Sequence, residues 1–374
     1  MISGIEVQNF KGFRHLKLSE LGPFHVLAGP NGSGKSSFFE ILEFVKDLLL
    51  FDVREAVSRR QVSSLRDLTF DRLGGSISFD IALDEGLFQR KPTRYQLTIA
   101  ESTDSGVIIV SEVLLVSSNK LVWRTGDSPV YYAREDGLGE DYFSFPWARS
   151  ALSQVPPDER RYPTANRVKN LLVGGVQMLE LNGGRMGMPC APSVSAEELL
   201  PNGNNLARVV GRLLRGRADE WIDHLRLALE DLESISWRQR EDDRAEYLVL
   251  HYRDGLEIPS WLASFGTLRT LALTLPAFLL ADEPRLCLFE EPEDGIHPKA
   301  IEIVMDAIRS IPNAQTFVTT HSPMIVQQSG IGSLLLFSKR DKEVVVQHGE
   351  DNSILRNLDG VPDLATVFAS RVLG

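Results

Sequence analysis

The sequence predicts an α/β fold in which both ends of the chain contribute strands to one parallel sheet. Near the amino end, the apolar run 24–28 is followed by a glycine-rich turn and then by a helical pattern over 37–50. Toward the carboxyl end, a helical pattern over 298–311 lies between two short apolar runs. The strand-like runs of this part are 285–289, 315–319 and 333–337. Because strand–helix–strand alternation is typical of parallel sheets, we expect these segments to pair.

The turn after the first of these strands is a complete phosphate-binding loop. Residues 29–36 read Gly-Pro-Asn-Gly-Ser-Gly-Lys-Ser, which matches G-x-x-x-x-G-K-S between a strand and a helix. Glycines let the backbone N–H groups surround a phosphate, and the helix amino end adds partial positive charge. Lys35 is expected to reach the β- and γ-phosphates, and the Ser36 hydroxyl to ligate Mg²⁺. The loop therefore predicts ATP and Mg²⁺ as cofactors.

The middle of the chain divides into two further regions. From 75 to 132 the pattern is rich in strands separated by Gly, Asp and Ser, which predicts an antiparallel meander. Residues 137–195 give little pattern, and 196–232 have a helical period. We therefore predict one α/β domain, here called the head, with a lobe inserted into it. The amino-terminal part of the head is at 1–135, the inserted helical lobe at 136–245, and the carboxyl-terminal part of the head at 246–374.

The composition limits the class of protein. A net charge of −11 and a pI of about 5.3 argue against coating of nucleic acid by bulk charge, although a local basic patch remains open. Cys190 and Cys287 lack metal-type spacing and are expected to be buried free thiols. The sequence has no apolar run long enough to span a membrane and no secretory signal pattern at its start, so we expect a cytoplasmic protein.

A pair of carboxylates follows the apolar strand 285–289. At a strand end beside a phosphate loop, one carboxylate can hold Mg²⁺ and its neighbour can activate the attacking water. We assign Glu290 to the metal and Glu291 to the water. The alternative interpretation is an ordinary solvated turn before Pro292.

Five segments give the sequence a family resemblance. Residues 290–298 resemble D-E-P-E-x-x-x-H-P, 319–323 resemble T-H-S-P, and 262–269 resemble S-x-G-T-x-R of the ABC-type ATPases of the SMC/RecF/OLD group. The opening 5–13 resembles I-x-N-F-K-x-F of the same group. Residues 201–206 resemble the D-G-x-N-L element of a bacterial family of predicted ATPases, the AAA_21 type. The motifs occur in the order of that group.

This resemblance implies a fold, an activity and an assembly. It implies an ABC-type head with a mixed sheet, a nucleotide-binding lobe and a helical lobe, which hydrolyses ATP. Two copies would sandwich two nucleotides, with Ser264 and Gly266 completing the partner's site and His321 contacting the γ-phosphate. The implied catalytic residues are Lys35, Glu291 and His321, and the metal ligands are Ser36 and Glu290. The implied nucleotide-binding residues are Lys11, Asn31, Gly32, Ser33, Gly34, Lys35, Ser36, Ser37, Ser264 and Gly266.

Several functions remain open at this stage. The favoured one is an ATPase that gates a separate effector, such as a nuclease, in DNA metabolism or anti-phage defence. A non-hydrolysing nucleotide sensor is the second, because Glu290 stands where the group usually has Asp. A transporter subunit is the third, and the absence of a full L-S-G-G-Q motif argues against it. DNA is a candidate partner through Arg208, Arg212 and Arg215 or through the basic residues of 160–169, although solvated faces are the simpler interpretation. Gln61 is only a tentative candidate for a Q-loop.

Overall fold

The computed structural model describes residues 1–84, 92–126, 128–216, 218–280, 282–356 and 364–369, which form three sheets and their flanking helices. The strands are β1 (Ile2–Phe10), β2 (Phe13–Leu18), β3 (Phe24–Ala28), β4 (Ile77–Leu83), β5 (Thr93–Ser102), β6 (Gly106–Val116), β7 (Asn119–Thr125), β8 (Val130–Ala133), β9 (Glu140–Phe143), β10 (Val176–Leu179), β11 (Leu232–Gln239), β12 (Glu246–Tyr252), β13 (Glu257–Pro259), β14 (Arg285–Glu290), β15 (Ala314–Thr320), β16 (Leu334–Arg340) and β17 (Glu343–His348). The helices are α1 (Lys35–Leu50), α2 (Val53–Ser58), α3 (Pro163–Val173), α4 (Gly183–Met186), α5 (Leu206–Leu214), α6 (Asp219–Ala228), α7 (Phe265–Thr274), α8 (Pro298–Arg309), α9 (Pro323–Ser329), α10 (Ser353–Arg356) and α11 (Leu364–Ala369).

The central sheet is built from both ends of the chain. Its order is β10-β14-β15-β3-β16-β17, with the first five strands parallel and β17 antiparallel. The prediction that β3 pairs with strands from the carboxyl end is therefore confirmed. The edge strand β10 comes from 136–245, the stretch that we predicted to form an inserted lobe.

Both faces of this sheet are covered, which explains why its strands read as continuous apolar runs. Leu286 and Leu288 of β14 enter the core shared with α1 and the antiparallel sheet, whereas Cys287 and Phe289 enter the core on the opposite face. Successive side chains of a strand point to opposite faces, so β14 contributes to two cores at once.

The predicted antiparallel meander is present as an eight-stranded sheet. Its order is β2-β1-β4-β5-β6-β7-β8-β9. The side chain of Gln315 on β15 joins this sheet to the central one, because it accepts from the Ile2 N–H at 2.8 Å and donates to the Ile2 carbonyl at 2.7 Å. Gln315 is fully buried, so its hydrogen bonds fix the relative position of the two sheets.

The opposite face of the central sheet carries α5 to α9 and a three-stranded sheet, β11-β12-β13. The strongly apolar stretch 268–280 predicts one helix, whereas the structure has α7 (Phe265–Thr274) followed by a 3₁₀ turn at Leu275–Phe278. The helix begins earlier because Ser264 caps it, and the α-helical pattern ends where Pro276 lacks the N–H that the next turn needs. Among the described helices, none has the length and apolar character required to cross a lipid bilayer.

Candidate functional site

The phosphate loop lies between β3 and α1, in a conformation that depends on its glycines. Gly34 has φ of 101° and Gly32 has φ of 78°, a left-handed region that side chains rarely adopt. A Cβ on Gly29 would lie 2.3 Å from the Phe337 carbonyl oxygen, and one on Gly34 would lie 2.6 Å from the Val344 side chain. The loop therefore packs against β16 and β17, which form its rear wall. Asn31 and Ser36 are exposed, whereas Ser33 is buried.

Lys35 is held inside this loop. Its side chain is buried, and Nζ donates to the carbonyl oxygens of Gly29 at 2.7 Å and Pro30 at 3.1 Å. Burial lowers the pKa of the Lys35 ammonium, and the carboxylates of Glu291, Glu293 and Glu290 oppose that shift. These carboxylates lie close enough for their charge to act on Lys35. The phosphate loop and the acidic strand end of β14 therefore belong to one site.

Ser36 and Glu290 join the two halves of the site directly. Ser36 Oγ donates to Glu290 Oε1 at 2.5 Å, across 254 positions of sequence. Glu290 is the last residue of β14, opposite Thr319 of β15, and β15 lies beside the β3 strand that leads into the loop. Within the described ranges, no three His, Cys, Asp or Glu side chains are grouped to share a metal ion. Mg²⁺ in phosphate-loop sites needs only a few protein oxygens beside phosphates and water, so the Ser36–Glu290 pair fits that ion.

Glu291 turns away from the strand. Its N–H still donates to the Thr319 carbonyl at 3.1 Å, but its φ of 43° ends the extended conformation of β14. Glu291 Oε1 lies 3.3 Å from Nδ1 of His321, which follows β15. The structure therefore places Glu290, Glu291 and His321 at the same edge of the central sheet as Lys35 and Ser36.

A third carboxylate at this edge, Glu293, was not among the predicted site residues. Its side chain is 8% exposed, and Oε1 accepts from Thr320 Oγ1 at 2.5 Å and from the His321 N–H at 3.2 Å. Burial raises the pKa of Glu293. Its Oε2 is buried and has no hydrogen-bond partner in the part of the chain that the structure describes. The signal for this residue was the Glu-Pro-Glu spacing, which puts a second carboxylate two positions after Glu291.

The predicted trans-acting residues lie on α7. Ser264 is exposed and caps that helix, with Oγ accepting from the Thr267 N–H at 3.1 Å. A Cβ on Gly266 would lie 2.5 Å from the Gly295 carbonyl oxygen, so the helix start packs closely on the loop after Glu293. The ring of Phe265, the residue after Ser264, packs against two glycines, Gly183 and Gly295. A Cβ added to Gly183 would lie 2.1 Å from a ring atom, and one added to Gly295 would lie 2.8 Å away.

Two other predicted nucleotide-binding residues lie beside the loop and α1. Lys11 has φ of 50°, its N–H donates to the Leu68 carbonyl at 2.7 Å, and its ammonium pairs with Glu40 on α1. Ser37 lies in the first turn of α1 and is partly buried. Both residues lie near the loop.

The candidates for a DNA contact and for a Q-loop have structural partners. Arg208 donates to the Pro192 and Val194 carbonyls and lies 3.4 Å from Glu246, so it does not form part of a free basic face with the exposed Arg212 and Arg215. Gln61 lies in the turn after α2, with φ of 56° and its N–H donating to Ser58. Nothing in these contacts connects Gln61 to the carboxyl edge of the central sheet.

The segment after β10 reaches that edge instead. Leu179 pairs with Phe289, so Glu180 follows at the level of Glu290 on the neighbouring strand. The N–H groups of Glu180 and Asn182 donate to the carbonyls of Pro201 and Asn202 at 2.8 and 3.2 Å. The 201–206 element therefore pairs with a segment at the carboxyl edge of the central sheet. This relation is not visible in the sequence because β10 is only four residues long.

The family model AAA_21, described as "AAA domain, putative AbiEii toxin, Type IV TA system", matches residues 24–121 and 199–327. These two segments cover more than half of the chain and include the phosphate loop, Ser264, Glu290, Glu291 and His321. Among curated proteins, "Uncharacterized protein MJECL10" from Methanocaldococcus jannaschii is 48% identical over 42 residues. That match covers 11% of this chain and spans only 19% of the relative's own length.

Solved structures of similar fold are SMC head domains. An SMC head bound to the C-winged helix domain of ScpA superposes with a TM-score of 0.55 at 14% identity, covering 93% of this chain and 97% of that chain. The SMC head domain from Thermotoga maritima gives 0.50 at 12% identity, covering 93% and 98%. The head from Pyrococcus furiosus, bound to the C-terminal domain of ScpA, gives 0.50 at 14% identity, covering 96% and 98%. At these identities the likeness establishes the fold alone.

Proposed function

The chain belongs to the AAA_21 family of P-loop ATPases and has the ABC-type fold of an SMC head, and on that premise we propose that it binds ATP with Mg²⁺ and hydrolyses it. The observation that carries this proposal is the 2.5 Å contact between Ser36 and Glu290. It joins the phosphate loop to the acidic end of β14. Three carboxylates at that end oppose the lowering of the Lys35 pKa by burial.

In this proposal each residue has one task. The loop N–H groups and Lys35 hold the β- and γ-phosphates, and Lys11, Asn31 and Ser37 bind further parts of the nucleotide. Ser36 and Glu290 would hold Mg²⁺, which neutralises charge on the phosphates when it is bound. The pairing of Ser36 with Glu290 fits such a site because both oxygens are already adjacent.

Hydrolysis in this proposal is a single displacement. Glu291 accepts a proton from water, the water oxygen forms a bond to the γ-phosphorus, and the bond from that phosphorus to the β–γ bridging oxygen breaks. The products are ADP and phosphate. His321 contacts the γ-phosphate and stabilises charge there. The 3.3 Å separation of Glu291 and His321 supports a shared location for these two tasks.

Assembly is the next part of the proposal. Ser264 is exposed, and its hydrogen bonds remain within the first turn of α7, so its free surface is available to another molecule. We propose that a second copy of the chain presents its phosphate loop to Ser264 and Gly266 when ATP is bound. Closing and opening of this dimer would gate a separate effector protein, such as a nuclease, in DNA metabolism or anti-phage defence.

The family description and the similar SMC head structures both support an effector partner. The family description mentions a toxin of a type IV toxin–antitoxin system, and two of the SMC heads were solved bound to domains of ScpA. A nucleotide sensor without turnover is the second candidate function. The observation that favours it is Glu290, which has one methylene more than aspartate at the metal position.

The test is phosphate release by the purified chain with ATP and Mg²⁺, with and without DNA, beside the Lys35→Ala variant. We expect turnover by the parental chain and a loss of nearly all ATP binding in Lys35→Ala, because that variant lacks the charge facing the phosphates. Isothermal titration measures the binding in both proteins. ATP binding without phosphate release would favour the sensor, and unchanged binding by Lys35→Ala would overturn the nucleotide site itself.

A further inference from the structure

The buried carboxylate of Glu293 organises the loop that carries His321. Its Oε1 accepts from Thr320 Oγ1 at 2.5 Å and from the His321 N–H at 3.2 Å. Thr320 Oγ1 in turn accepts from the Ser322 N–H at 2.9 Å. The last residue of β15 and the two residues after it are thus linked, directly or through Thr320, to one carboxylate oxygen.

The other oxygen of Glu293 is unused. Oε2 is buried and has no hydrogen-bond partner within the described ranges. A buried oxygen without a donor is unfavourable, because it loses its water and gains nothing in return. The free oxygen can accept a hydrogen bond from a donor that approaches in another state of the site.

The ring of His321 lies beside the Glu293 carboxylate and carries a donor. Nδ1 lies 3.3 Å from Glu291 Oε1 and 3.9 Å from Glu293 Oε1. One ring N–H donates well to one acceptor at a time, so the two carboxylates compete for it. In this structure the nearer partner is Glu291, the residue that our proposed function assigns to the attacking water.

We propose that Glu293 is a positioning residue that receives the ring of His321 once ATP and the attacking water engage Glu291. The inference rests on the proposed function, because it assumes that Glu291 acts on water. Nδ1 already lies 3.9 Å from Oε1 of the Glu293 carboxylate, so a movement of the ring toward the free oxygen of that carboxylate exchanges one partner for the other. It leaves Glu291 free for the water and holds the opposite side of the His321 ring toward the nucleotide.

The first test replaces Glu293 by glutamine. Glu293→Gln keeps the size of the side chain and one oxygen for Thr320 and the His321 N–H, but an NH₂ group replaces the oxygen that would accept from the ring. We expect kcat to fall about tenfold or more, with KM for ATP within about threefold of the parental value. Thr320→Val is the matched control, because it removes a bracing hydrogen bond and keeps the carboxylate. Its kcat should stay within about threefold.

The second test asks whether Glu293 acts through His321. In a His321→Ala background Glu293 has no ring to receive, so Glu293→Gln should change the single-turnover rate by less than about twofold. An equal loss in both backgrounds would show a purely structural role and overturn the inference, as would parental kcat for Glu293→Gln. Should Glu293→Gln fail to fold, Glu293→Asp replaces it in the same cycle, because its shortened carboxylate cannot reach the ring.

Failure of the proposed function gives a different result. If Glu291→Gln hydrolyses ATP at the parental rate, the role of Glu291 is wrong, and the inference falls with it. If Glu291→Gln is inactive and the Glu293 and His321 effects are independent, only the inference is wrong.

Discussion

Arg269 on α7 donates from Nη2 to the main-chain carbonyl of Glu291 at 2.7 Å. The side chain is buried and its guanidinium lies over the Phe265 ring. The helix that begins at Ser264 is therefore bonded to the loop that carries the proposed base. Since Glu291 has a left-handed backbone, an external hydrogen bond helps to hold it in that conformation.

Arg269→Met should lower ATP turnover about tenfold or more, which is the loss expected from about 1.4 kcal/mol of hydrogen bonding to a charged group. ATP affinity should change by less than about threefold, because Arg269 contacts the loop and not the phosphates. Phosphate-release kinetics and titration measure the two quantities. Arg309→Met is the control, since Arg309 also donates to a main-chain carbonyl, that of Gln328, on the surface. Equal losses in both variants would contradict a specific role for Arg269.

Glu290 and Glu291 should respond differently to the same substitution. Glu291→Gln should still bind Mg²⁺ and ATP but hydrolyse about 10²-fold more slowly, because the base is lost. Glu290→Gln should weaken Mg²⁺ binding and lower both affinity and turnover. Single-turnover rates over a range of Mg²⁺ concentrations separate the two. Normal hydrolysis by Glu291→Gln together with normal Mg²⁺ affinity in an inactive Glu290→Gln would mean that the two assignments are reversed.

Ser264→Arg should prevent ATP-dependent dimerisation, because it puts bulk and positive charge at the face proposed to meet the partner's phosphates. The measurement is molar mass by light scattering in the Glu291→Gln background, where the closed form should accumulate with ATP. Ser58→Arg, at an exposed serine at the end of α2, serves as the control and should dimerise normally. A dimer of Ser264→Arg with ATP would exclude this face as the interface.

His25 should make the protein less stable in acid. Burial lowers the pKa of His25 from 6.5 to about 4, and its Nε2 accepts from the Gly22 N–H at 2.7 Å. The unfolded chain therefore takes up this proton first as the pH falls. Its contribution to the free energy of unfolding is complete above about pH 6.5 and decreases toward pH 4, by about 3 kcal/mol in total. Urea titrations from pH 4 to 7.5 should show a flatter profile in His25→Gln. A profile in His25→Gln as steep as that of the parental chain would contradict this role of His25.

The sequence was most informative where structure is local. The phosphate loop, the limits of β3 and the parallel pairing of both chain ends follow from residue type and period over short windows. The start of α7 was displaced because a cap at Ser264 outweighed the apolar pattern from which the helix was predicted. Such a cap is visible in sequence only as one serine among many.

Features that arise from tertiary packing could not be predicted from local sequence patterns. β10 is a strand because β14 offers a free edge, and nothing in its four residues requires that pairing. Glu112, in an apolar stretch of β6, is fully buried and accepts hydrogen bonds from Tyr95, Ser150 and two main-chain N–H groups. Three of these four donors come from a segment 38 to 40 residues later, so a short window of sequence could not reveal them. The buried position of Glu293 depends in the same way on Thr320.

The strand order of the central sheet also determines when the nucleotide site can exist during synthesis. β3, which leads into the phosphate loop, has β15 on one side and β16 on the other. Both neighbours leave the ribosome about three hundred residues after β3. Until then the loop has no rear wall, since Phe337 and Val344 are not yet made. A nascent chain therefore cannot complete this candidate nucleotide site until β16 and β17 have been synthesised.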